Sequence, residues 1–112
     1  MSLVDVHCHL DAPVYHDVQE FCRHSQAAGV AVTVAAGTGL ASNRRILALQ
    51  EQIPGHVWAA LGWHPERLDA SPEELAAVLA HIAEHRTRLA ACVSEMHAAL
   101  KQPIDGRHIL DE

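Results

Sequence analysis

Two histidines separated by one residue near the N-terminus are the most chemically suggestive feature of this chain. His7 and His9 flank Cys8 inside residues 3–10, an apolar stretch rich in valine and leucine that is typical of a β-strand. Side chains alternate across a strand, so both imidazoles should lie on one face together with Asp5, and Cys8 on the other. Paired imidazoles suit a divalent metal, but two solvated histidines at a strand end would show the same spacing. The spacing alone leaves both interpretations open.

Two further polar residues directly follow predicted strands. His64 lies in a Gly-Trp-His-Pro segment after the apolar residues 57–61, and Glu95 comes shortly after the apolar residues 89–93. The carboxyl ends of parallel strands meet at one edge of a sheet, where such folds place active sites. Taken alone, each residue is more typical of a turn histidine or a solvated glutamate. Together with the histidine pair they indicate one shared site.

The elements that would position these residues alternate between strand and helix. The predicted strands cover residues 3–10, 30–36, 57–61 and 89–93. The predicted helices cover residues 14–28, a segment capped by Ser42 that ends at Ile53, and a segment capped by Ser71 with Pro72 at its first position. A β-α-β-α-β-α-β order with apolar strands predicts a parallel sheet with right-handed crossovers.

The third predicted helix carries a second pair of histidines. Its predicted apolar face is formed by Leu75, Val78, Leu79 and Ile82. His81, Glu84 and His85 match the HxxEH spacing of some zinc peptidases, but His81 and Glu84 should lie on the polar side and no third ligand is evident. We interpret this pair as part of a solvated helix face. Four other histidines are also predicted to lie on the surface, namely His16, His24, His56 and His108.

Length and composition restrict the classes of function. The 112 residues, 49% of them hydrophobic, suit one domain, and no window is long and apolar enough to span a membrane. The N-terminus lacks the pattern of a secretory signal, so a cytoplasmic location is expected, and three cysteines without a CxxC pair are interpreted as free thiols. The net charge of −6 disfavours nucleic-acid binding through a basic patch, although a metal-centred site would still attract phosphate.

Four segments taken together resemble the TatD family of metal-dependent hydrolases: VDVHCHLDAP, AGV before the second predicted strand, GWHPE after the third and SE after the fourth. The resemblance implies an α/β fold, the N-terminal half of a (β/α)8 TIM-type barrel with four parallel strands and three intervening helices. Residues 1–112 would then be a single partial domain that ends within a fourth helix. The implied metal ligands are His7, His9 and Glu95, and His64 would line the substrate site.

The resemblance also implies an activity and a cofactor. Family members are metal-dependent hydrolases of phosphodiester bonds in DNA, most often with magnesium, and zinc or manganese are the alternatives. No catalytic residue is assigned, because the ligands expected on later strands, two histidines and an aspartate, would lie beyond Glu112. The chain is therefore interpreted as an incomplete portion of such an enzyme, whose activity alone stays open.

The sequence departs from the family pattern at Glu95, which lacks its usual flanking glycines. Two alternative functions are kept, a non-catalytic half-barrel module and an amidohydrolase-like hydrolase of amides or esters. In a half-barrel the first and fourth strands would have unpaired edges, so we expect the isolated chain to self-associate.

Overall fold

The computed structural model describes residues 2–64 and 70–89 of the chain. Within them, strands and helices alternate. The strands are β1 (Leu3–Cys8), β2 (Val30–Ala36) and β3 (Val57–Ala60), and the helices are α1 (Val18–Ala27), α2 (Leu40–Gln52) and α3 (Pro72–Glu84). This order confirms the predicted alternation for the described part of the chain, in which no helix is long and apolar enough to cross a membrane.

The three strands form one parallel sheet in the order β1-β2-β3. Sequential order is the arrangement of a barrel, whereas a doubly wound sheet places its first strand between others. The predicted α/β class and strand order are therefore confirmed for three strands, and a fourth is not shown. Leu89, predicted to open the fourth strand, instead continues a helical turn after α3 and donates its amide to the carbonyl of His85 at 2.9 Å. Residues 90–93 lie outside the described residues.

Apolar side chains cover both faces of the sheet. The larger cluster lies between the sheet and the helices and contains Cys8, Leu10, Val18, Cys22, Ala35, Ile46, Leu49 and Val57. The smaller cluster lies on the other face and contains Val32 and Trp58, with Val4, Ala31 and Val34 packed against them. The alternation along β2 and β3 therefore supplies apolar side chains to both faces, as expected for a strand buried on two sides.

β1 contains a bulge that changes which of its side chains share a face. Asp5 pairs with Thr33 and Cys8 pairs with Ala35, so three steps along β1 match two steps along β2. One extra residue reverses the alternation of side chains beyond it. Val4 and Cys8, which a regular strand would place on the same face, therefore belong to the clusters on opposite faces.

Two helices begin at positions other than those predicted. α1 begins four residues later than expected, since the carboxylate of Asp17 accepts a hydrogen bond from the Glu20 amide at 3.0 Å and caps the helix. α2 begins before Ser42 rather than after it. The Ser42 hydroxyl instead accepts from the amide of Thr38 at 3.0 Å and so fastens the loop that precedes the helix.

α3 begins as predicted but presents a different face to the protein. The Ser71 hydroxyl accepts from the Glu74 amide at 3.1 Å, which confirms the predicted cap. Val78 and His81 are the buried residues of the helix, whereas Leu75 and Leu79 are 42% and 60% exposed. The predicted apolar face is thus only partly buried, although α3 packs against α2.

Candidate metal centre

The imidazole rings of His7 and His9 lie side by side at the carboxyl end of β1. Their Nε2 atoms are 3.2 Å apart, and the rings are nearly perpendicular with centroids 4.9 Å apart. Two nitrogens that each lie about 2.0–2.1 Å from one ion, with an angle of about 100° at the ion, would be separated by this distance. The donor atoms and their spacing therefore fit a shared divalent metal ion.

A backbone carbonyl fixes the orientation of the His9 ring. Nδ1 of His9 lies 2.9 Å from the carbonyl oxygen of Ala36 at the end of β2. A carbonyl can only accept a hydrogen bond, so we assign the proton of the neutral ring to Nδ1 and the lone pair to Nε2. Metal-binding histidines are commonly oriented in this way by a carbonyl at the other ring nitrogen. The ring of His9 thus presents an unprotonated nitrogen toward His7.

The bulge in β1 is held locally by Asp5. The Asp5 carboxylate accepts a hydrogen bond from the backbone amide of His7 at 3.1 Å. This contact uses one carboxylate oxygen to fasten the backbone that carries the first imidazole. Asp5 therefore supports the backbone of the histidine pair. It pairs with Thr33 and is the last paired residue of β1 before the bulge.

His64 comes close to the pair from the loop that follows β3. The ring centroids of His9 and His64 are 6.4 Å apart, with an angle of 62° between the planes. The backbone amide of His64 donates to the carbonyl of Thr38 at 3.1 Å, which ties this loop to the one that follows β2. Three of the four site residues predicted from the sequence are thus brought to one edge of the sheet.

Sequence reasoning missed Asn43, a fully buried side chain in the first turn of α2. Its Oδ1 accepts from the Gly62 amide at 3.1 Å, and its Nδ2 donates to the Gly62 carbonyl at 3.0 Å. Asn43 lies three residues before Ile46, on the stripe of α2 that faces the core. An amide side chain on an otherwise apolar helix stripe is a signal that could have singled it out.

Glu95, the third predicted ligand, lies outside the described residues. Across residues 2–64 and 70–89 there is no group of three or more histidine, cysteine, aspartate or glutamate side chains that could hold a metal ion. The described part of the chain therefore contributes two imidazoles to a candidate centre, and its remaining ligands would have to come from elsewhere.

The thiol of Cys8, although it stands between the two histidines in sequence, belongs to the core between sheet and helices. Its Sγ lies 3.6 Å from the hydroxyl of Tyr15. Burial raises the pKa of the Cys8 thiol, and burial raises that of Cys22 as well. Both cysteines are free and buried, and neither is suited to act as a thiolate ligand.

His56 is wholly buried, so its predicted surface position is wrong. Its Nδ1 donates to the carbonyl of Ala31 at 3.0 Å, and its Nε2 then accepts from the hydroxyl of Thr33 at 3.2 Å. These two bonds attach the segment before β3 to β2. His56 is therefore a structural residue whose burial depends on partners that are distant in sequence.

The second histidine pair, at the carboxyl end of α3, forms no ligand cluster in the described part of the chain. The rings of His81 and His85 have centroids 4.5 Å apart, and Nδ1 of His85 donates to the carbonyl of His81 at 2.9 Å. His81 is buried, contrary to its predicted place on the polar side, and burial lowers its pKa. The interpretation that this spacing does not make a zinc site stays a prediction.

Fold and site together define a class, the β/α proteins that gather polar residues at the carboxyl ends of sequential parallel strands. Residues 4–96 match the model of the TatD related DNase family, and the chain belongs to that family. The resemblance read from the sequence motifs is thereby confirmed over nearly the same residues.

Two relatives give the extent of this similarity. The chain is 33% identical over 89 residues to an uncharacterized metal-dependent hydrolase of Haemophilus influenzae, an alignment that covers 80% of this chain and 34% of that protein. It is 35% identical over 66 residues to the deoxyribonuclease TATDN3 of Homo sapiens, covering 58% of this chain and 24% of the human protein. The chain thus spans about a third of the length of the first relative and less of the second.

Proposed function

We propose that this chain forms the N-terminal, metal-binding portion of a TatD-type hydrolase that cleaves phosphodiester bonds of DNA. The observation that carries the proposal is the 3.2 Å separation of the His7 and His9 Nε2 atoms, with the second ring oriented by the Ala36 carbonyl. The names of the two relatives, a metal-dependent hydrolase and a deoxyribonuclease, support the reaction class and the substrate. The cytoplasmic location expected from the sequence stays a prediction.

His7 and His9 would hold a divalent ion, and Glu95 is the proposed third ligand. Bound there, the ion would polarise a phosphodiester oxygen and favour deprotonation of the attacking water. Imidazole nitrogens favour zinc, whereas a carboxylate ligand favours magnesium or manganese, so the mixed donor set admits all three. Magnesium remains the proposed ion because it is the metal most often used by the family.

His64 is proposed to line the substrate site rather than to bind the metal. Its ring stands 6.4 Å from that of His9, between centroids, which leaves it within reach of a phosphate held at the histidine pair. The chain carries a net charge of −6, so the proposed attraction for DNA depends on the positive charge of the bound ion. No general base is assigned among the described residues.

The metal site is tested by calorimetric titration of the 112-residue chain with zinc, manganese and magnesium. We expect weak binding of at least one ion, lost in the His7→Ala, His9→Ala double variant because both imidazole donors are removed. The His81→Ala, His85→Ala double variant is the matched control and should bind as the parent does. An absence of binding, or binding that survives loss of the first pair, would overturn the proposal.

The substrate is tested by incubating labelled DNA with the same proteins. Hydrolysis depends on a complete ligand set and on positioning of the substrate, so we expect slow cleavage at most from the 112-residue chain. Any cleavage should require the divalent ion and disappear in His9→Ala but not in His81→Ala. Rapid cleavage that His9→Ala leaves unchanged would contradict the assigned site.

We also propose that the chain associates with a second copy of itself along β1. In the described part of the chain β1 is an edge of the sheet, and Leu3 and Val6 on it are each more than half exposed. An exposed apolar edge strand is a template for pairing with another strand. Pairing of two copies would cover this edge.

A further inference from the structure

The side chain of Asn43 forms hydrogen bonds with both backbone polar groups of Gly62, which lies in the segment after β3. It accepts from the Gly62 amide and donates to the Gly62 carbonyl, at 3.1 and 3.0 Å. The Asn43 side chain is fully buried, so neither of its polar atoms has water as an alternative partner. Truncating it would leave the amide and carbonyl of Gly62 without these bonds, and leaving buried polar groups unpaired is costly.

Gly62 stands two residues before His64, in the segment that leaves β3. A glycine has a wide choice of backbone conformations, so a Gly62 without external contacts would leave the direction of the following residues poorly defined. The two hydrogen bonds from Asn43 remove that freedom. A third bond, from the His64 amide to the Thr38 carbonyl at 3.1 Å, then sets the end of the segment.

The end of β2 and the loop that follows it contact both the ring of His9 and the backbone of His64. The Ala36 carbonyl accepts from the His9 ring, and the Thr38 carbonyl accepts from the His64 amide. Between them, Gly37 lies so close to Asn43 that a Cβ at this glycine would overlap Oδ1 of the asparagine. Three consecutive residues, the last of β2 and the first two of the loop, therefore contact the His9 ring, the Asn43 side chain and the His64 backbone.

We propose that Asn43 is a positioning residue of the candidate metal centre, which orients the loop after β3 so that the ring of His64 faces that of His9. The proposal rests on the function proposed above, because the orientation of the His64 ring matters only for a metal and substrate site. Asn43 itself acts at a distance from the rings, through the backbone of Gly62. Its role is to set where the substrate-lining imidazole stands relative to the metal-binding pair.

A matched control lies further along the same helix. Gln50 is also buried in α2, and its Oε1 accepts from the Ala59 amide of β3 at 2.7 Å. Like Asn43, Gln50 is a polar side chain of α2 that forms a hydrogen bond with a backbone group. Its partner, however, lies within β3 and not in the loop that carries His64. Loss of Gln50 should therefore weaken the fold without reorienting that loop.

The experiment compares Asn43→Ala, Asn43→Asp and Gln50→Ala in the metal-free 112-residue chain. The readout is the nuclear Overhauser cross-peak between the ring protons of His9 and His64, recorded below the unfolding temperature of each variant. We expect the cross-peak in the parent and in Gln50→Ala and its loss in Asn43→Ala. Asn43→Asp keeps the acceptor for the Gly62 amide but not the donor for its carbonyl, so its cross-peak should be weaker than that of the parent.

The outcomes separate positioning from a general structural role. A cross-peak that persists in Asn43→Ala, one that is absent from the parent, or one that Gln50→Ala also loses would overturn the proposal. If Asn43→Ala does not fold, the comparison of Asn43→Asp with Gln50→Ala decides in the same way.

A parallel titration of the parent with zinc tests the metal site separately. Selective loss of the cross-peak together with an absence of zinc binding would keep the positioning role and reject the proposed function. Zinc binding without selective loss of the cross-peak would keep the proposed function and reject the positioning role.

Discussion

Nδ1 of His9 donates a hydrogen bond to the carbonyl of Ala36, which lies 27 residues further along the chain, at 2.9 Å. This bond joins the residue after β1 to the last residue of β2 and selects the tautomer in which Nε2 of His9 carries the lone pair. The same Nε2 faces that of His7 at 3.2 Å. The pairing of two neighbouring strands thus holds the two Nε2 atoms at a separation that a shared divalent ion would require.

Two glycines near the site should differ sharply in their tolerance of a methyl group. In Gly37→Ala the new Cβ would overlap Oδ1 of Asn43, so the asparagine or the loop has to move. We expect a loss of about 1–3 kcal/mol in the free energy of unfolding, as for other overpacked sites. In Gly62→Ala, the matched control, the nearest atom to the new Cβ is the Gly37 carbonyl oxygen at 3.5 Å, an ordinary contact. Urea titration measures both, and equal losses would contradict the contact with Asn43.

Stability should fall as the pH is lowered, in part through His81. Burial, followed by the nearby charges of His85 and Arg44, lowers its pKa below the ordinary value of 6.5, while Glu84 opposes this. The folded state therefore favours the neutral ring, and the unfolded chain binds the proton more readily. The contribution of His81 to the free energy of unfolding is complete above about pH 6.5. It is lost as the pH falls through the lowered pKa of His81.

The pH dependence is measured by thermal unfolding between neutral and mildly acidic pH. His81→Gln should lower the stability at neutral pH and flatten the dependence, because a group that titrates differently in the two states has been removed. His85→Gln is the control on the same helix, and it should retain most of the slope. An unchanged slope in His81→Gln would show that other groups cause the acid sensitivity.

The buried thiols should react slowly with alkylating reagents. Burial raises the pKa of Cys8 and of Cys22, so little thiolate is present near pH 8, and both side chains are shielded from solvent. In a Cys92→Ser background, alkylation by iodoacetamide should be much slower in the folded chain than in urea. Tyr15→Phe removes the hydrogen bond that lowers the Cys8 pKa and should not accelerate the reaction. Rapid labelling of folded protein would contradict the packing around Cys8.

Self-association through β1 should be sensitive to a charge on its exposed edge. Val6→Lys places a lysine where a second strand would have to pair, and edge lysines discourage such pairing. We expect light scattering coupled to size exclusion to give a dimer or larger species for the parent and a smaller species for this variant. Leu79→Lys, at an equally exposed apolar position on α3, is the control and should not change the mass. A parent chain that remains near 12 kDa at micromolar concentration would rule out the association.

Sequence patterns predicted the local elements well because local elements depend on neighbouring residues. The cap at Ser71 was visible from the Ser-Pro-Glu-Glu segment that forms it. The β-α-β alternation followed from apolar runs separated by helical periodicity. The proximity of His7 and His9 followed from their spacing of two residues. The start of α1 was misplaced because the apolar periodicity extends before the Asp17 cap.

The sequence by itself determined the order of the elements, the family and the candidate residues, because these depend on residue types and short spacings. Only the tertiary structure decided the bulge in β1, the tautomer of His9 and the burial of His56. It also revealed the contact between Asn43 and Gly62. These features depend on the register between strands and on hydrogen bonds that join residues 19–27 positions apart. A side chain has no such partner until the chain has folded, so local periodicity cannot show which polar residues will be buried and paired.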